Sequence, residues 1–185
     1  MLDFLKKIFR KPGRGGPPVL MVVAKNEITQ ESLQRDFKQF GCQIISSNSA
    51  ESAWKYLEFG AIPDIILLDF VLPADDGPTF YRQIFMDKRF VSVPIVPLID
   101  NHPDEHRITV DSMGGNSAHK SARDQARFSS FLVNTPTEFN TTPEFLFISV
   151  AQTLRKANIG LPLPFRQKIQ ALNRTAISGL RPSDS

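Results

Sequence analysis

The sequence predicts a doubly wound α/β domain on a five-stranded parallel sheet with strand order 2-1-3-4-5. Three observations predict it. Short apolar runs of strand length alternate with longer segments of helical periodicity. The runs are apolar on both faces, as strands of a parallel sheet covered on each side must be. At 185 residues the chain can bury one such core and carry appendages.

The leader "MLDFLKKIFRK" sets Leu2, Leu5, Ile8 and Phe9 against Lys6, Lys7, Arg10 and Lys11, the pattern of a short basic amphipathic helix. The breakers in "KPGRGGPP" stop it, so residues 1–16 are a leader and linker. "VLMVVA", Val19 to Ala24, is the first buried strand. In "EITQESLQRDFKQFG" a helical stripe runs through Ile28, Leu33, Phe37 and Phe40, and Gly41 is the stop. "CQIIS" is the second strand. "NSAESAWKYLEFG" places Asn48 as a cap with Glu51 three residues on, which is capping-box spacing, and Gly60 as the end. "DIILL" is the third strand. "GPTFYRQIFMDKRF" is a helix with Phe80, Ile84 and Phe85 on its apolar side. "VPIVPL" is the fourth strand, which Pro97 should end or bend by removing a ladder hydrogen bond.

Residues 100–127 are polar and weakly periodic, and are read as an irregular insertion. "SSFLVN" is the fifth strand. "TTPEFLFISVAQTLRKAN" is a helix: Thr142 caps it, Pro143 and Glu144 suit its first turn, and Arg155 and Lys156 suit its last. The domain therefore covers 17–158. The basic tail, 159–185, holds one further helix with Phe165, Ile169, Leu172 and Ile177 loosely on one side.

Charge is unevenly spread. Residues 1–16 carry five Lys/Arg against one Asp, and residues 151–185 carry six against one. The body between them is net −6, which argues against nucleic-acid binding by the domain. The basic ends suit an anionic surface, and residues 1–11 suit weak contact with an anionic bilayer. The single cysteine, Cys42, fits a reducing, cytoplasmic setting. No apolar run approaches membrane-spanning length, and the lysines inside the leader's apolar part argue against a secretory signal. His102 and His106 flank Pro103 in a polar stretch and read as a solvated loop rather than a metal site.

The segment "DFVLPADDGPTF" follows the third strand. Asp69 stands at the strand's carboxyl end, where open parallel sheets collect their ligands. Leu72-Pro73 and Asp76-Gly77 follow at fixed spacing. With the strands that flank it, the segment resembles the phospho-acceptor region of response-regulator receiver domains, a flavodoxin-like fold, over roughly residues 17–158. The resemblance implies Asp69 as acceptor, a magnesium ion held by an acidic pair after strand 1, a Ser/Thr after strand 4, a lysine after strand 5, and a signalling partner such as a histidine kinase or regulator.

The departures from that pattern matter most. "VVAKNE" puts Ala24 and Lys25 at the acidic pair. Ile99 stands at the Ser/Thr position, and Asn134 or Thr135 at the lysine. Glu27 is the nearest substitute carboxylate, but it falls where helix 1 begins. Lys25 is expected to pair with Asp69, a contact of roughly 4 kcal/mol in raw Coulomb energy at an effective dielectric of 20.

The expectation is a stand-alone, degenerate receiver: a non-enzymatic signalling module that acts through protein contacts, with no cofactor. The alternative is a conventional phosphorelay receiver, phosphorylated on Asp69 with magnesium. A small enzyme on the same fold is the remaining reading, although no catalytic set is visible. The helix "PEFLFISVAQTL" is apolar nearly all round, so Leu146, Phe147 and Val150 are candidates for a homodimer or partner interface. The competing reading is that the tail folds over them.

Overall fold

The computed structural model describes residues 16–59, 62–73, 76–90, 92–98 and 143–178. Four parallel strands, β1 (Val19–Val23), β2 (Gln43–Ser47), β3 (Ile65–Asp69) and β4 (Ile95–Leu98), form a sheet of order β2-β1-β3-β4. Helices α1 (Glu27–Gln39), α2 (Ala50–Glu58), α3 (Asp76–Met86), α4 (Pro143–Lys156) and α5 (Leu163–Ser178) complete the described residues. The order agrees with the first four strands of the expected sheet. The expected fifth strand "SSFLVN", the 100–127 insertion, the leader 1–11, Gly60, Ile99, Asn134, Thr135 and Thr142 lie outside the described residues.

Side chains alternate along a strand, so β1 feeds two cores. Leu20 and Val22 join Leu33 and Phe37 of α1 and Val150 and Leu154 of α4 on one face. Met21 and Val23 join Ala53 and Leu57 of α2 and Phe80 and Ile84 of α3 on the other. β1 is buried throughout, as is β3 up to Asp69, which is why both read as unbroken apolar runs. At the opposite end of the sheet Asp64 ties the two strands together. Its Oδ2 accepts from Val19 N–H at 2.8 Å, and its own N–H donates to the Val19 carbonyl at 2.8 Å. Burial raises the Asp64 pKa, and the Val19 bond opposes that shift.

The helix ends explain most departures from the sequence reading. Asn26 caps α1 by accepting from Ile28 N–H at 2.9 Å. Ile28 itself is 77% exposed, outside the expected stripe. It precedes Leu33 by five residues, about 140° around the helix, so the two never shared a face. Gly41, at φ +81°, closes α1: its N–H donates to Lys38 at 2.9 Å and Cys42 N–H donates to Phe37 at 3.0 Å. For α2 the cap is Ser49, not Asn48. Ser49 Oγ accepts from Ser52 N–H at 3.2 Å, while Glu51 pairs with Lys55 at 2.7 Å instead of reaching back to a cap. Pro97 lies within β4, level with Leu68 of β3. Ile66 N–H donates to the Pro94 carbonyl at 2.9 Å, so Val96 and Leu98 face β3 and the N–H that Pro97 lacks would point away from it.

The tail is part of the core. Asn158, at φ +58°, turns the chain out of α4 through bonds from Asn158 N–H to Arg155 and from Ile159 N–H to Leu154. α5 then crosses back onto α1. Phe165 is fully buried, stacked on Phe40 at 5.3 Å and edge-on to Phe37 at 5.8 Å. Phe147 meets Phe37 at 5.5 Å and Phe40 at 5.2 Å. Each such ring pair adds about 0.5–1.5 kcal/mol beyond burial. Ile169 is buried beside them and Leu172 half-buried; the Ile177 side chain is outside the described set.

Phe165→Ala should therefore lower stability by about 3–5 kcal/mol in a chemical denaturation series. A change below ~1 kcal/mol would place the tail outside the cooperative fold. Gly77, in the first turn of α3, presses on the backbone of Phe70, where an added Cβ would run into the Phe70 carbonyl. Gly77→Ala gains ~1 kcal/mol in helix propensity but meets a clash worth about 1–3 kcal/mol against rigid backbone. The expected result is net destabilisation, and unchanged or increased stability would contradict the close approach.

Candidate functional site

The carboxyl edge of the sheet is assembled by strand register. Val23 is level with Ser47 on one side and Leu68 on the other. The β1–β3 register ends there, so Ala24 and Asp69 each stand one step beyond the last paired residues. Asp69 in turn is level with Leu98, after which Ile99 lies outside the described residues.

Ala24 is held on both sides. Its N–H donates to the Ser47 carbonyl at 3.1 Å and its carbonyl accepts from Gln30 Nε2 at 2.7 Å. The methyl is 1% exposed and belongs to the α1-side core. Lys25 follows at once and is exposed, leading into the Asn26 cap. The expected ion pair between Lys25 and Asp69 is not formed. The ion pairs among the described residues are Arg35–Asp36, Glu51–Lys55 and Asp87–Arg89. An ammonium already in water gains little from a surface partner and loses side-chain entropy in taking one.

Asp69 is half-buried, and its Oδ1 accepts from Val71 N–H at 2.8 Å, closing a tight turn. The loop beyond is anchored by Phe70, 5% exposed, and Leu72, 3% exposed, both in the α2–α3 core. Gly77 packs on the Phe70 backbone from the other end. Among the described residues, the motif after β3 is thus a turn with a carboxylate at its head, anchored through Phe70 and Leu72. Glu27 is exposed in the first turn of α1, where it suits the positive end of that helix.

A serine cluster closes the β2 end of the edge, and the sequence reading passed over it. Ser47 Oγ bonds the Ser49 carbonyl at 2.9 Å and also meets Ser52 Oγ, and Ser49 Oγ and Ser52 Oγ lie 2.9 Å apart. Its signal was the density of serines in "SSNSAES". These hydroxyls serve the start of α2. Away from the edge, burial and then the charge of Asp64 push the Cys42 thiol up to about 12. The chain's single thiol is thus buried and held in its neutral form. Of the candidate interface residues, Phe147 and Val150 are buried within the chain and Leu146 is half-buried. No helix among the described residues is long and apolar enough to cross a membrane.

No family model matches the sequence, and no curated protein matches it either. Solved structures do. A signal receiver domain of an HD domain-containing protein from Pseudomonas fluorescens has a TM-score of 0.53 at 16% identity, over 77% of this chain and 90% of that one. A response regulator receiver domain protein from Methanospirillum hungatei has a TM-score of 0.52 at 12% identity, over 77% of this chain and 97% of that one. At these identities the likeness is one of architecture: this chain has the fold of response-regulator receiver domains.

Proposed function

We propose that this chain is a non-enzymatic signalling module on a receiver fold, acting through protein contacts without magnesium-dependent phosphorylation of Asp69. One observation supports the reading: Ala24 and Lys25 follow directly on Val23, whose register partner Leu68 directly precedes Asp69. Magnesium bound by proteins takes carboxylates, waters and phosphate oxygens in near-octahedral array. A buried methyl donates nothing to it, and an ammonium repels it. The residues present do not fit the ion.

The transfer chemistry fails for the same reason. In-line phosphoryl transfer is catalysed by positioning and by cations that neutralise the equatorial oxygens. Ile99 has no hydroxyl or charge to offer those oxygens, and neither Asn134 nor Thr135 carries a lysine's charge. The expected fifth strand, "SSFLVN" beside β4, belongs to the same reading. Signalling would pass through a protein partner that recognises the folded surface, and Asp69 would serve the turn it heads.

The chain incubated with acetyl phosphate and magnesium should gain no phosphate by intact-mass spectrometry. Asp69→Asn should leave signalling in the cell largely intact. Ala24→Asp with Lys25→Asp should bring magnesium binding that the wild type lacks, without efficient transfer. A phosphate adduct on the wild type that disappears in Asp69→Asn would overturn the reading in favour of a conventional phosphorelay receiver.

A further inference from the structure

Where α4 turns into α5 the chain leaves an open pocket of about 320 Å³, lined by Arg155, Asn158, Ile159, Gly160, Leu161 and Arg166. Ile159 and Leu161 bound it on the side of the α1 core. Its two charged side chains are both arginines, and both are exposed. The ion pairs among the described residues, Arg35–Asp36, Glu51–Lys55 and Asp87–Arg89, use neither of them.

The core fixes both arginines in place. Arg155, in the last turn of α4, follows Leu154, which is fully buried. Arg166, in the first turn of α5, follows Phe165, which is fully buried against Phe37 and Phe40. Between them Asn158 makes the left-handed turn, and Arg166 N–H donates to the Pro162 carbonyl at 3.0 Å. An added Cβ at Gly160 would meet nothing within 4 Å, so the pocket is open there. Pro162 packs on Gly41, at the turn from α1 into β2, with 3.1 Å to where a Gly41 Cβ would stand. The corner therefore lies at the opposite end of the parallel sheet from Asp69.

The charge here has one sign. Residues 145–178 hold five Lys/Arg and no Asp or Glu. Lys168 is turned to the Phe147 ring, 6.0 Å from its centroid, and is not in the lining. Arg155 suits the negative end of α4, but Arg166 stands at the positive end of α5, whose first turn has no acidic residue. The positive charge of the pocket is thus left uncompensated among the described residues, and an anion relieves it. Two guanidinium forks match oxyanions, and the Asn158 amide adds a further donor. A phosphate group suits the pair better than a carboxylate does. Its terminal oxygens can serve both forks at once, where a carboxylate's two oxygens are taken by one.

We propose that the α4–α5 pocket binds a phosphate group, with Arg155 and Arg166 holding its oxygens and Asn158 donating from the turn. The group belongs to a soluble phosphorylated molecule or to a lipid headgroup, since the same side chains recognise either. A ligand bound there holds α5 in place, because it binds the folded corner and not the unfolded chain. The site does not use Asp69, so it stands whether or not Asp69 is phosphorylated.

The test is a titration of inorganic phosphate into the full chain, with ionic strength held constant by sodium chloride. It is followed through the backbone amides of Asn158, Gly160 and Arg166, which should shift saturably in the wild type. Arg155→Gln with Arg166→Gln, both at exposed positions, should weaken binding about tenfold or more. Gly160→Asp, which sets a carboxylate in open space at the pocket, should weaken it as much. Lys156→Gln with Arg174→Gln, exposed and outside the lining, should change it by less than about twofold, since screened charges act weakly at a distance. Co-sedimentation with phosphatidylglycerol vesicles that falls in Arg155→Gln with Arg166→Gln would assign the phosphate to a lipid headgroup. Saturable phosphate binding without it would assign a soluble molecule. No saturable shift in the wild type, or unchanged affinity in the pocket variants, would overturn the proposal. Equal weakening by the outer pair would overturn it too, as diffuse attraction to a basic surface.

Discussion

The register of β1 against β3 decides what can happen beside Asp69. Leu20 is level with Ile65 and Val23 with Leu68. A slip of one residue would turn each side chain to the opposite face. Both strands carry side chains into a packed core on each face, so a slip would disrupt two cores at once. The register is therefore fixed by hydrophobic packing, and it sets Ala24 and Asp69 each one step beyond the last paired residues, Val23 and Leu68. The electrostatics of the edge follow from the core. A buried alanine and then an exposed lysine follow β1, while the Asp69 carboxylate holds the turn into Val71.

The same logic assigns the other surfaces. On the α1 face the core is completed by the tail, whose Phe165 closes a group of four phenylalanines with Phe37, Phe40 and Phe147. The apolar excess of α4 is thereby consumed inside the chain. On the α2–α3 face nothing comparable covers Trp54, Phe59 and Met86 among the described residues, and the apolar surface remains open.

Much of this was legible in the sequence because it depends on local chemistry. Four strands, Gly41 as a stop and Asp69 at a strand end follow from apolar runs, breakers and spacing, and the order of those four from the fold class that the alternation implies. The misreadings arose where a residue's role depends on its angle or its neighbours. Ile28 looks like part of a stripe until five residues are converted to degrees. Asn48 and Ser49 are both good caps, and the choice between them was made by where β2 ends. Phe147 and Val150 look exposed on a helix apolar all round, and only the placement of α5 shows that they have a cover. The missing ion pair of Lys25 belongs here too, since raw Coulomb energy says nothing of what water already supplies.

The central claim is that the edge beside Asp69 cannot hold magnesium. The most direct measurement is a magnesium titration of the full chain into the millimolar range, followed through the backbone amide resonances of Ala24, Lys25, Asp69 and Phe70. The account predicts no saturable shift at these positions in the wild type, and the same traces for Asp69→Ala. A saturating shift at Asp69 and Ala24 in the wild type, lost in Asp69→Ala, would contradict it.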